Sequence, residues 1–132
     1  MNIIQVDGNI QGSGKSSIIG ALSLYLREKG KKVSYYKPFS SSASEDPDPP
    51  FIASELLGVS APVHPVTPPG GPITSELEQT IKAVIEKSAS TSDVLFIEGP
   101  STDSPGHSLN QALHSITGGK RILVNRWGKN SQ

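Results

Sequence analysis

Apolar residues fall along this chain in two patterns, short continuous runs and stripes at helical spacing, and the two patterns take turns. Residues 2–7, with the run Ile3 to Val6 at their centre, read as a buried strand. From Ser16 to Lys29 the residues Ile18, Ile19, Leu22, Tyr25 and Leu26 recur at helical spacing, while Arg27, Glu28 and Lys29 face solvent. Gly30 stops this helix, and Lys31-Lys32 reads as a solvated turn. Val33-Ser34-Tyr35-Tyr36 is a second strand, ended by Lys37-Pro38. Two strands joined by a crossover helix make a βαβ unit, so the predicted fold class is α/β with a parallel sheet flanked by helices.

Past the second strand the pattern breaks. Residues 39–50 are rich in Ser, Asp and Pro and read as a loop. Asp48-Pro49-Pro50 then opens a short helix, with Asp48 as N-cap, Phe51, Ile52, Leu56 and Leu57 on its apolar side, and Gly58 at its end. A second proline-rich connection, residues 59–72, is long for a compact domain and reads as a mobile lid or a poorly ordered segment. Ser75-x-x-Glu78 is a capping box, and Leu77, Ile81, Val84 and Ile85 carry a helix to about Lys87. Residues 93–100 form a third buried strand that ends in Glu98-Gly99-Pro100. A loop from Ser101 to Gly106 leads to a helix near Ser108–Ile116, with Leu109, Ala112, Leu113 and Ile116 inward. Gly118-Gly119 closes it, and Lys120 to Asn125 gives a fourth strand.

Composition narrows the function. A chain of 132 residues fits a single domain, and twelve basic residues balance twelve acidic ones, which disfavours a nucleic-acid partner. Without cysteine there is neither a disulfide nor a cysteine-ligated metal. The longest charge-free stretch of the first helix, Ser16 to Leu26, is too short to span a bilayer. The N-terminus lacks the cationic and long apolar segments of a signal peptide. A soluble cytoplasmic protein, with no membrane partner, is the expectation.

The chemistry collects at the first strand-to-helix turn, Asp7-Gly8-Asn9-Ile10-Gln11-Gly12-Ser13-Gly14-Lys15-Ser16-Ser17. Glycines let backbone N–H groups converge on an anion, and a helix N-terminus adds partial positive charge at the same point. In this P-loop reading Gly12, Ser13, Gly14, Lys15, Ser16 and Ser17 cradle the phosphates of a nucleoside triphosphate. Lys15 reaches the outer phosphates, and the Ser16 hydroxyl holds Mg²⁺. The spacing is unusual: Asn9 stands where the general pattern has its first glycine, and Gly8 one place earlier gives Gly-x5-Gly-Lys-Ser. The plainer alternative is a glycine-rich turn with a solvated lysine.

In an open parallel sheet, ligands bind at the C-terminal ends of the strands. Two further such ends are polar, Lys37 after the second strand and Glu98 after the third. Lys37 either snorkels from its strand end or takes part in function. Glu98 is either an ordinary strand-end carboxylate or a group that holds Mg²⁺ through water or orients a nucleophile. Asp48 is accounted for by its capping role, with a metal role as the alternative and Asp46 as an equal rival. His64, His107 and His114 have no spacing that suggests a shared metal, so they read as structural or surface residues.

Gly8-x5-Gly14-Lys15-Ser16, Tyr36-Lys37-Pro38 and Ile97-Glu98-Gly99 resemble the dethiobiotin synthetase and cobyrinic acid a,c-diamide synthase group of P-loop proteins. The segment Gly14 to Phe39, and Ala53-Ser54-Glu55-Leu56-Leu57-Gly58 after it, look closer still to the dethiobiotin-synthetase-like N-terminal domain of some phosphate acetyltransferases. The resemblance covers nearly the whole chain and implies one P-loop domain over residues 1–132. It implies Mg-ATP at Gly12–Ser17, Lys37 near the substrate or γ-phosphate, Glu98 in the metal shell, and an acidic metal residue approximated by Asp48. It also implies an ATP-dependent ligase, in which the γ-phosphate passes to a carboxylate or carbamate oxygen that an amine then attacks. The small-molecule partner would be an acid or a diamine. The acetyltransferase likeness implies the alternative, a nucleotide-sensing or regulatory module without turnover. Family members continue past the fourth strand, so the resemblance further implies a chain lacking the C-terminal part of the fold, working as a homodimer or completed by a partner chain. One departure bears on the substrate: Pro100-Ser101-Thr102-Asp103 follows Glu98-Gly99, where the synthetase pattern has small residues and further glycine.

Overall fold

The apolar runs become strands and the periodic stripes become helices. A computed structural model of the chain describes residues 1–8, 14–40, 65–101 and 107–124. Within them lie the strands β1 (Asn2–Gly8), β2 (Val33–Tyr36), β3 (Val94–Ser101) and β4 (Lys120–Val124), and the helices α1 (Lys15–Glu28), α2 (Ser75–Ala89) and α3 (His107–Thr117). All strand pairs are parallel, and the sheet order is β2-β3-β1-β4. β3 is thereby inserted between the two strands of the first βαβ unit. Its register sets Val6 beside Glu98 and Tyr35 beside Phe96.

Because alternate residues of a strand face opposite sides, each strand supplies two cores. On one side Val6, Tyr35, Val94 and Phe96 pack with Ile19 of α1, flanked by the partly buried Leu22 and Leu26. On the other, Tyr36, Leu95 and Ile97 meet Ile81 and Val84 of α2 and Leu109 and Leu113 of α3. Burial on this side pushes the Tyr36 phenol up to about 12, so it stays neutral. Fully burying a side chain such as Phe96 stabilises the fold by about 2–3 kcal/mol.

Three expectations change. The stripe predicted for α1 is too wide: Ile19, Gly20 and Ser23 meet the sheet, whereas Ile18 and Tyr25 stay 40% and 56% exposed. The Tyr25 ring lies instead under the Lys29 ammonium, 5.5 Å from its centre. α2 is capped one residue before the predicted box. Thr74, extended at φ −71°, ψ 159°, accepts from the Leu77 N–H at 3.2 Å, and Ser75 is already helical. Glu78 turns to an exposed pair with Lys82 at 3.3 Å, worth a few tenths of a kcal/mol.

The third change concerns the second proline-rich connection. Its residues 65–66 run beside the end of β2, where the Ser40 N–H donates to the Val66 carbonyl and the Val66 N–H to Pro38, both at 2.9 Å. Phe39, between them, is 1% exposed. This end of the connection is thus hydrogen-bonded to the segment that follows β2. Residues 59–64, the predicted helix over 49–57 and its cap Asp48, together with Asp46 and His64, lie outside the described residues. No helix among the described residues is long and apolar enough to cross a membrane.

Candidate functional site

β1 delivers the chain to Gly8, and α1 takes it up again at Lys15; Gly12 and Ser13 lie between, outside the described residues. Gly14 is the N-cap of α1, at φ 98° and ψ 17°. Only glycine adopts that left-handed backbone at no cost, so its place before the lysine is dictated by the turn. Its carbonyl accepts the first helical bond, from the Ile18 N–H at 3.0 Å. Having no side chain, it caps nothing, and the helix terminus turns its N–H groups and partial positive charge toward the loop. Lys15 is 9% exposed, Ser16 half-buried and Ser17 exposed.

Three predicted residues from three elements meet beside this terminus. The Ser16 hydroxyl, on the first turn of α1, donates to Glu98 Oε1 at 2.9 Å. Lys37, just past β2, sets its ammonium 3.3 Å from Glu98 Oε2. Glu98, near the end of β3, is 2% exposed, so its charge is bearable only because ammonium and hydroxyl partners surround it. The strand order makes the meeting: with β3 next to β1, Glu98 comes up beside the strand that carries the glycine-rich turn.

Sequence reasoning missed the fourth member. Tyr35 donates its phenol proton to Glu98 Oε1 at 3.0 Å from within the apolar core. Strand alternation was the available signal, since Tyr35 sits opposite Phe96, and Glu98 is two residues further along the same face.

A second polar cluster, also missed, lies on the other face. Asp7, 1% exposed, accepts from Arg121 Nε at 2.9 Å and from its terminal nitrogen at 2.6 Å, both on Oδ2. Gln5 Nε2 donates to Asp7 Oδ1 and to the Asn110 carbonyl, each at 3.0 Å. Asn110 Nδ2 donates to the Pro100 carbonyl at 2.6 Å, which binds α3 to the segment following Glu98. The signal here was Gln5 and Asp7 themselves, polar residues at a spacing of two inside a buried run.

Gly99 is the close-approach point of that cluster. A Cβ added there would stand 2.2 Å from Asn110 Oδ1 and 2.3 Å from Asp7 Oδ1. Both side chains are buried and held by hydrogen bonds, so neither moves freely. Gly99→Ala is therefore expected to destabilise the domain by about 1–3 kcal/mol, as overpacking of a filled site does. Urea denaturation measures it; an unchanged midpoint would show that the cluster yields.

His114 fits its structural reading, with Nε2 2.7 Å from the Gly119 carbonyl. Among the described residues no three or more of His, Asp and Glu gather in a way that would hold a metal.

The fold has counterparts among solved structures. The signal recognition particle receptor FtsY from Elizabethkingia anophelis superimposes with a TM-score of 0.61 and 20% identity, over 93% of this chain. A second structure of that protein, in complex with GDP, gives a TM-score of 0.56 and 22% identity over 87% of the chain. The shared feature is the fold, a parallel sheet flanked by helices. The chain spans only 41% and 34% of the lengths of those two structures. No family model matches the sequence, and no curated protein matches it. The likeness to dethiobiotin synthetase thus rests on sequence motifs alone, whereas the likeness in fold extends to a receptor outside that group.

Proposed function

We propose that this chain is a Mg-nucleotide-binding P-loop domain, with the phosphates seated against Gly12–Ser17. The observation that supports this most is the convergence of Ser16 and Lys37 on the buried carboxylate of Glu98, beside the N-terminus of α1. A serine that donates its proton to a carboxylate turns its lone pairs outward, as a cation ligand must. A hydroxyl and a carboxylate are hard oxygen donors, and they suit Mg²⁺, which takes few protein ligands and fills its shell with phosphate and water. Ser16 and Glu98 would hold the ion, which when bound neutralises charge on the phosphate oxygens. Asp48 is the further candidate for its shell. Lys15 and Lys37 supply the remaining positive charge, Lys15 at the outer phosphates and Lys37 at the γ-phosphate or substrate.

The motif resemblance favours ATP, with transfer of its γ-phosphate to a carboxylate or carbamate oxygen. No covalent nucleophile is required, because the charge to be stabilised lies on phosphoryl oxygens. A second reading, nucleotide sensing without turnover, draws on the segment after Glu98. There the Gly99 backbone is wedged between Asp7 and Asn110, and the Pro100 carbonyl is taken by Asn110. Pro100 follows Gly99 there, where the synthetase pattern has small residues and further glycine.

Calorimetric titration with ATP, ADP, GTP and GDP, each with Mg²⁺ and with EDTA, tests the common part. Saturable binding that Mg²⁺ strengthens is the expected result, and no heat with any of the four ends the proposal. Phosphate release with and without added diamines or corrinoid acids then separates ligation from sensing. Tighter binding of GTP than of ATP would refute the base preference while leaving the phosphate site standing.

A further inference from the structure

Glu98 presents two oxygens, and they are treated differently. Oε2 faces the ammonium of Lys37, at the end of a long flexible side chain that is 13% exposed. Oε1 takes both hydroxyl protons, from Ser16 at 2.9 Å and from Tyr35 at 3.0 Å. Ser16 stands on the helix that meets the phosphates. Tyr35 stands in the sheet, 3% exposed, among Val6, Ile19, Val94 and Phe96.

We infer that Tyr35 is a positioning residue for the cation site, holding Glu98 Oε1 toward Ser16 when Lys37 is drawn to the polyphosphate. This rests on the Mg-nucleotide reading above. An arriving polyanion competes for Lys37, and a carboxylate 2% exposed cannot lose its ammonium without other donors to stabilise it. Lys37 can swing away; the Tyr35 ring, locked among core side chains, cannot. The phenol is an apolar body with a polar tip, which lets it sit in the core and still reach the carboxylate. Tyr36 is excluded from the role by geometry. Alternation sends it to the opposite face, into the core formed with α2 and α3.

The test compares wild-type protein, Tyr35→Phe and Tyr36→Phe by nucleotide titration in Mg²⁺ and in EDTA. In Tyr35→Phe the affinity in EDTA is expected to be unchanged, while the gain conferred by Mg²⁺ shrinks roughly tenfold, as for other partners that orient a metal ligand. Tyr36→Phe keeps the full gain. The donor-bearing 4-aminophenylalanine at position 35 restores it, a recovery that a merely space-filling role for Tyr35 would not produce. Should Tyr35→Phe fail to fold, 4-fluorophenylalanine at position 35 fills the tyrosine volume without a donor and is titrated in its place. A full Mg²⁺ gain in a folded protein lacking the donor overturns the inference and leaves the nucleotide reading intact. Wild-type protein that binds no nucleotide, or binds it without any Mg²⁺ gain, removes the metal role and this inference with it.

Discussion

Lys15→Ala is expected to weaken Mg-nucleotide binding by roughly a hundredfold, the equivalent of about 2.8 kcal/mol. Lys15 is the first residue of α1 and is 9% exposed. A charge-assisted hydrogen bond to phosphate contributes about 1.5–3 kcal/mol, so one or two such contacts account for the loss. Calorimetry on the variant measures it directly. Thermal denaturation in parallel checks that the fold survives. A folded variant that binds as tightly as the parent would return Lys15 to the status of a turn lysine, and the phosphate site would lose its main support.

Glu98→Ala is expected to give the largest loss of stability at the site, about 3 kcal/mol, because removing one partner of a buried ion pair strands the other. Lys37, 13% exposed, loses its carboxylate contact, and the hydroxyls of Ser16 and Tyr35 lose an acceptor at the same time. For a domain of this size the loss lowers Tm by on the order of 10 °C. The informative comparison is Lys37→Met combined with Glu98→Gln. Removing both charges costs less than stranding one, so the double variant should melt above Glu98→Ala. If it melts lower, the cluster is held together by something other than the ion pair. Both variants are also expected to lose the strengthening of nucleotide binding by Mg²⁺, since each lacks the carboxylate.

The two predictions probe different layers of the molecule. Lys15 belongs to a motif legible in eleven consecutive residues, and the expectation about it could be written without any structure. The expectation about Glu98 needs the strand order. Its partners Ser16 and Tyr35 are 82 and 63 residues away in sequence, and the glutamate touches both only because β3 sits between β1 and β2.

Local physics made much of the chain readable. Helix and strand periods, a glycine that ends α1 and a glycine-rich turn before a lysine are short-range signals, and they located the strands and helices of the described residues to within a residue or two. Where only one face of an element is buried, the period says which residues share a face but not how wide the buried stripe is. That is why Ile18 and Tyr25 were expected inside and lie outside. A cap is settled by one hydrogen bond, and Thr74 made it ahead of Ser75.

The sequence by itself thus determined the α/β alternation, the glycine-rich turn before Lys15 and the strand ends at which Lys37 and Glu98 stand. Only the tertiary structure decided that β3 runs between β1 and β2, that Tyr35 rather than Tyr36 faces Glu98, and that Gln5, Asp7, Asn110 and Arg121 form a cluster on the far side. The reason is physical. Backbone periods and turns depend on neighbours a few residues apart, whereas the partner of a buried polar group is chosen by whichever strands the sheet sets side by side.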